Sequence, residues 1–183
     1  MAHIAILGLG NWGTAIARMW LADGHHVKGW TIEQEVYESI TMEGVNKKYL
    51  PNHPVEGMEA TMHIEEALDG VEIVVLAVPS SVILGVVDQI IPHLRPGHVL
   101  LDLAKGLAPG NQLISLAIHE KLHAADKNNP LAVVTGPTIA PEAAGGVMTT
   151  ALVASEDVSV AKHLASTLTT QTLSLIHISE PTR

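Results

Sequence analysis

Residues 4–17 read IAILGLGNWGTAIA, an apolar run that breaks at Gly8-Leu9-Gly10-Asn11-Trp12-Gly13 and then resumes with helical spacing. The run over 2–7 predicts a short buried strand. Beyond the glycines, Ala15, Ile16, Met19 and Trp20 can share one face, which predicts a helix over 12–23 stopped by Gly24. In a G-x-G-x-x-G pattern each glycine has its own task. Gly8 permits the tight turn, Gly10 lets the backbone approach a pyrophosphate, and Gly13 lets the helix pack closely on the strand. The free N–H groups at the helix start then face the phosphates. Many glycine-rich turns match the bare pattern; its position after a strand and before a helix is what points to a dinucleotide.

Working outward, strands are expected over 26–30, 60–63, 72–78, 98–104, 131–135 and 151–155. Helices are expected over 33–42, 64–68, 82–94, 112–123, 141–144 and 158–168, with Ser80 as N-cap of the fourth. The strongest strand, 72–78, is a run of Ile, Val, Val, Leu, Ala and Val closed by Pro79. Strands alternating with helices of about ten residues predict an α/β fold, a Rossmann-like, mostly parallel sheet with helices on both faces.

Composition agrees. The chain has 183 residues, enough for one domain with a substantial core, and 47% hydrophobic against 16% charged residues argues against disorder. Phe is absent, and Ala, Val, Ile and Leu suit buried parallel strands. A net charge of −9 speaks against nucleic acid as a partner, because a duplex-binding surface needs clustered cations. Without cysteine there is no disulfide framework and no thiol chemistry. No apolar run approaches the roughly 20 residues that span a bilayer, and no leader is evident, so a cytoplasmic protein without a membrane partner is expected.

The choice between NAD and NADP turns on the end of the second strand. An acid about 20 residues beyond the glycines holds the adenosine ribose hydroxyls, whereas an arginine accepts a 2′-phosphate. Thr31, Ile32 and Glu33 stand there with no arginine nearby. Glu33 has two readings, ribose ligand or an acid favoured in the first turn of a helix by its dipole. The balance leans to NAD.

Further segments point to one family. GLGNWGTAIA at the glycine loop is followed by NKKYLP over 46–51, Val78-Pro79-Ser80 after the strong strand, and Lys105-Gly106 after the fifth. GPTIAPE over 136–142 and TALVAS over 150–155 complete the order. The arrangement resembles the N-terminal domain of bacterial glycerol-3-phosphate dehydrogenases over about residues 2–172. The resemblance implies NAD(P)-dependent hydride transfer involving dihydroxyacetone phosphate or glycerol 3-phosphate, small-molecule substrates that feed glycerophospholipid synthesis. It implies that Gly8, Gly10, Asn11, Trp12 and Gly13 line the cofactor's pyrophosphate turn and Ile32 faces the adenine end. Val78 and Pro79 would lie beside the nicotinamide, and Ala140 would approach the cofactor. Lys105 would contact both cofactor and substrate, and Gly136 and Thr138 would hold the substrate. No catalytic residue is assigned in this chain, since the family's proton-donating lysine lies in a helical C-terminal substrate domain for which this sequence has no counterpart. A full-length protein of this kind is compatible with a homodimer. Two positions depart from the family: Ile139 stands for a usual Phe, and Ile32 lacks the polar or basic group often found there.

Three rival readings remain. Other 6-phosphogluconate-dehydrogenase-like oxidoreductases share the glycine loop and the Val-Pro step, but the pairing of GPTIAPE with NKKYLP favours the glycerol phosphate enzymes. A stand-alone dinucleotide-binding module is the non-catalytic alternative. His119-Glu120-Lys121-Leu122-His123 matches the zinc-peptidase H-E-x-x-H helix. With eleven histidines an accidental match is the better account, and no metal is expected. The other histidines read as surface or loop residues. Residues 173–183, LSLIHISEPTR, are similar to the conceptual translation of a transposase adapter used in sequencing libraries. They are therefore read as a non-native tail outside the fold, with the natural protein continuing past Thr172.

Overall fold

The computed structural model describes residues 1–177. The chain begins β1 (His3–Leu7), α1 (Asn11–Ala22), β2 (His26–Trp30), α2 (Gln34–Glu43), β3 (Glu59–Thr61) and α3 (Ile64–Ala67). It continues β4 (Ile73–Leu76), α4 (Ile83–Ile90), β5 (Val99–Asp102), β6 (Leu107–Ala108), β7 (Gln112–Leu113) and α5 (Ile114–Ala124). The last elements are β8 (Leu131–Thr135), α6 (Ala140–Ala144), β9 (Thr149–Ser155), α7 (Val158–Leu168) and β10 (Leu173–His177).

Eight strands make one sheet in the order β10-β9-β8-β5-β4-β1-β2-β3. From β3 to β8 every neighbouring pair is parallel; Ile4 of β1, for instance, pairs with Val27 on one side and Ile73 on the other. Only β9 runs against its neighbour β8, and β10 follows β9 in parallel. Because both faces are covered, successive strand residues serve different layers. Ile4, Ile6, Ile73, Val75 and Leu101 pack with α1, α2 and α7, while Ala5, Leu7, Val74, Leu76 and Leu100 pack with α3, α4 and α5. Doubly covered strands read as unbroken apolar runs for this reason.

Trp20, fully buried on α1, ties the two ends of one layer together: its indole Nε1 donates to the Leu168 carbonyl at the end of α7, 3.0 Å away. Asp157 caps the start of α7 by accepting from the Ser159 amide. No helix among the described residues is long and apolar enough to cross a membrane.

The structure corrects several local expectations. Ser80 does not cap α4; the N-cap position is Val82 and carries no side-chain hydrogen bond. The helix expected from residue 112 starts at Ile114, because Gln112 and Leu113 pair antiparallel with Ala108 and Leu107 around a turn in which Gly110 and Asn111 have positive φ. His25 and His98 are buried rather than superficial. Each accepts a backbone N–H at Nδ1, from Ala2 and Arg95, and burial lowers the pKa of both rings. Residues 173–177, left outside the fold by the sequence reading, pair with β9 and bury Leu173 and Leu175. The alternation in LSLIH places both leucines on the α7 side, so the segment meets the pairing requirement whatever its origin. The rest of the tail, 178–183, lies outside the described residues.

Among the described residues Asp102 is the one carboxylate buried in the sheet, 1% exposed and on the same strand face as Leu100. Burial raises its pKa to about 6, against the opposing effect of a 2.8 Å hydrogen bond from the Ala104 amide. A folded-state value above the ordinary 3.8 means its contribution to stability is fully present below that pH and is lost as pH rises through about 6. Asp102→Asn is therefore expected to stabilise the fold at pH 8 by about 1–3 kcal/mol, the gain vanishing near pH 4. Urea midpoints at the two pH values check it, and a gain independent of pH would contradict it. Trp20→Ala is expected to cost about 3–5 kcal/mol in the same assay.

Candidate functional site

The strand-to-helix turn after β1 is built around missing side chains. Gly8 sits at φ +107°, and a methyl there would come within 2.8 Å of a Val78 side-chain carbon. A methyl on Gly13 would lie 2.0 Å from the Gly8 carbonyl oxygen, so α1 rests on β1 at backbone distance. Gly10 differs from both. It is extended (φ −73°, ψ −167°), and a Cβ there would meet nothing within 4 Å. Neither backbone strain nor neighbours within the chain demand glycine at position 10; open space remains for something to approach the backbone.

Asn46, fully buried in the loop after α2, holds this turn from behind. Its Nδ2 donates to the Leu9 carbonyl and to Thr14 Oγ1, both at 2.8 Å, while its Oδ1 accepts from the Tyr49 amide. Thr14 Oγ1 also donates to the Leu9 carbonyl. In a trans peptide the C=O and following N–H point in opposite directions. Fixing the Leu9 carbonyl inward therefore aims the Gly10 N–H outward, beside the first-turn amides of α1, which no side chain caps. These groups fit the pyrophosphate of a dinucleotide: donors are presented, the helix dipole favours negative charge, and no side chain blocks the approach.

All the residues singled out from the sequence follow the carboxyl ends of parallel strands, and so share one edge of the sheet. Gly8, Gly10, Asn11, Trp12 and Gly13 follow β1; Ile32 and Glu33 follow β2; Val78 and Pro79 follow β4; Lys105 follows β5; Gly136, Thr138 and Ala140 follow β8. Four strand spacings, roughly 19 Å, separate the β2 end from the β8 end. The glycine turn is central, and the Gly8 amide donates to the Trp30 carbonyl at the end of β2.

Within that edge two groups of residues come together. Lys105, exposed, donates from Nζ to the Thr138 carbonyl at 3.3 Å and to its Oγ1 at 3.4 Å, which joins the loops after β5 and β8. Trp12 and Ala140 pack around Ala15, Leu50 and Ala144, so the glycine turn, the 46–51 loop and the 136–142 segment meet at one small apolar cluster. Val78 is buried against Gly8, whereas Pro79 is exposed. Ile32 points into solvent and Ile139 is also exposed.

Glu33 is not a free acid. Its Oε1 accepts from the Tyr49 hydroxyl at 2.8 Å and its Oε2 from Lys48, which also binds Glu35. The bonds from Lys48 and then Tyr49 hold the Glu33 carboxyl below its ordinary pKa, and the bonds to Glu33 and then Glu35 raise that of Lys48. The NKKYLP pattern by itself gives no individual role to Asn46, Lys48 or Tyr49. The signal was present in a polar, doubly basic loop ending in proline, but which of its residues turn inward is a matter of folding.

The H-E-x-x-H helix makes other contacts. Glu120 accepts from Gln112, Lys121 is paired with Asp88, and His119 lies 3.8 Å from Glu156. Among the described residues no three His, Cys, Asp or Glu side chains are grouped as metal ligands. A separate concavity lined by Arg18, His53, Gly145 and Thr172 lies by the C-terminal half of α1, away from the glycine turn.

Comparison with known proteins follows this geometry closely. Residues 3–161 match the model of the family described as NAD-dependent glycerol-3-phosphate dehydrogenase N-terminus. The chain is 37% identical over 160 residues to the glycerol-3-phosphate dehydrogenase [NAD(P)+] of Halorhodospira halophila, covering 86% of this chain and 47% of that protein. To the enzyme of the same name from Exiguobacterium it is 37% identical over 171 residues, covering 92% and 50%. The chain thus spans about half the length of the curated relatives it matches. The crystal structure of glycerol-3-phosphate dehydrogenase from Coxiella burnetii superposes with a TM-score of 0.88 at 32% identity, over 97% of this chain and 54% of that one. A pyrroline-5-carboxylate reductase from the same organism shares the fold at 14% identity and a TM-score of 0.72. With its family match spanning residues 3–161, the chain belongs to the family of NAD-dependent glycerol-3-phosphate dehydrogenase N-terminal domains.

Proposed function

We propose that this chain is the cofactor-holding half of an enzyme that moves a hydride between NAD(P)H and dihydroxyacetone phosphate or glycerol 3-phosphate. The observation that carries the proposal is the pairing of an open, amide-lined glycine turn with a lysine that meets Thr138 on the same sheet edge. Gly8, Gly10, Asn11, Trp12 and Gly13 hold the pyrophosphate, and Ile32 and Glu33 border the adenosine. Val78, Pro79 and Ala140 border the nicotinamide. Bound there, the nicotinamide supplies or accepts the hydride. Lys105 stands where negative charge grows on the substrate oxygen, and an ammonium aimed at developing charge lowers the barrier more than it aids ground-state binding. Gly136 and Thr138 position the substrate, Thr138 also holding the lysine in place. Proton donation falls to a lysine that the family resemblance assigns to a helical domain outside these residues, so binding and turnover separate in this chain.

Trp20 and Trp30 are buried with their indole N–H groups already bonded to Leu168 and Met62, so Trp12, half-exposed at the turn, is the fluorophore that answers to ligand. NADH is expected to change its emission with saturable binding. Gly10→Ala is expected to weaken NADH at least about tenfold while leaving stability within about 1 kcal/mol, since alanine tolerates that backbone and meets no neighbour. Gly13→Ala, by contrast, should lose stability and binding together. If Gly10→Ala bound NADH as the parent does, the cradle would have to lie elsewhere. The 183-residue chain is further expected to show no oxidation of NADH with dihydroxyacetone phosphate, and turnover in the ordinary enzymatic range of about 1–1,000 per second would refute the division of labour.

A further inference from the structure

The adenosine end of the cleft carries a charge arrangement that the family assignment leaves unexplained. Glu33 follows β2, the position from which an acid reaches a ribose diol. Its carboxylate accepts from Tyr49 Oη and from Lys48 Nζ. Lys48 is held by two carboxylates at once, Glu33 and Glu35, and lies 5.7 Å from the centre of the Tyr49 ring. Its neighbour Lys47 is paired with Glu43 at 2.6 Å. Two carboxylates and one ammonium leave this corner with one net negative charge.

That arrangement treats the two dinucleotides differently. A 2′-hydroxyl donates to a carboxylate without disturbing it. A 2′-phosphate brings about 1.5–2 negative charges and needs a cation, as any phosphate monoester does. Among the described residues Lys48 is the cation bonded to Glu33, and Glu33 and Glu35 already occupy it. A 2′-phosphate must draw Lys48 away from both while standing near the carboxylates it leaves behind.

We propose that Lys48 sets the cofactor preference of this chain, with Glu33 and Glu35 withholding it from a 2′-phosphate so that NAD(H) is favoured over NADP(H). The inference rests on the dinucleotide reading above and adds the residue that discriminates at its adenosine end. Removing the competition frees Lys48. The 46–51 loop is then a preference device as well as the support of the glycine turn, since Asn46 anchors one end of it beneath Leu9.

Dissociation constants for NADH and for NADPH, measured by Trp12 fluorescence and by calorimetry at one fixed ionic strength, test this. The parent chain is expected to bind NADH more tightly. Glu33→Gln is expected to improve NADPH relative to NADH by about tenfold or more, and Glu33→Gln with Lys48→Ala to lose that gain. Glu35→Gln, at an exposed position, should shift the ratio in the same direction and serves if the Glu33 variant folds poorly, as judged by circular dichroism. An unchanged ratio in both glutamine variants, a gain that survives Lys48→Ala, or a parent chain that prefers NADPH would each overturn the assignment to Lys48 while leaving dinucleotide binding intact. Failure of the parent chain to bind either cofactor would overturn both readings.

Discussion

The packing of α1 on β1 exists only because residue 13 has no side chain: a methyl there would sit 2.0 Å from the Gly8 carbonyl oxygen. That contact sets where the helix begins and therefore where its unpartnered amides point. It also brings Thr14 under Leu9, where Asn46 can bind both. The loop anchored by Asn46 carries Lys48 and Tyr49 to Glu33, and Leu50 to the cluster around Trp12 and Ala140. One close approach of two backbone segments thus aligns the central turn with the features on either side of it.

An acidic chain that holds an anionic ligand is no contradiction. With a net charge of −9 the molecule as a whole repels phosphate at long range. Amide donors and a helix N-terminus act over a few ångströms, where the local field outweighs the distant surface charge screened by salt. Cations are used sparingly on this edge. Lys105 is held by Thr138 beyond β5, and Lys48 is tied to carboxylates near the β2 end.

Much of this was legible in the sequence. Parallel strands covered on both faces have to be apolar throughout, so IAIL, IVVL and LAVV announce themselves, and short helices between them dictate a crossover fold. The glycine loop was legible because its constraints are local. Residues whose role depends on distant partners carry no such local signal. Ser80 looks like a helix cap, yet the helix starts three residues later. His25 and His98 look superficial, yet each closes a backbone amide inside the fold. Asp102 follows three apolar residues and gives no hint that it will be buried. The short pairing of Leu107 with Leu113 has too few residues for any pattern to register.

Sequence alone determined the alternation of the main strands and helices, the covered parallel sheet and the tight turn at Gly8–Gly13, because these follow from hydrophobic period and from what glycine uniquely permits along a few consecutive residues. Only the tertiary structure decided that Asn46 lies beneath Leu9, that Lys105 meets Thr138 and that Lys48 is claimed by Glu33 and Glu35. Those contacts join residues 13 to 37 positions apart, and their geometry is set by how the strands are ordered across the sheet, which no local pattern encodes.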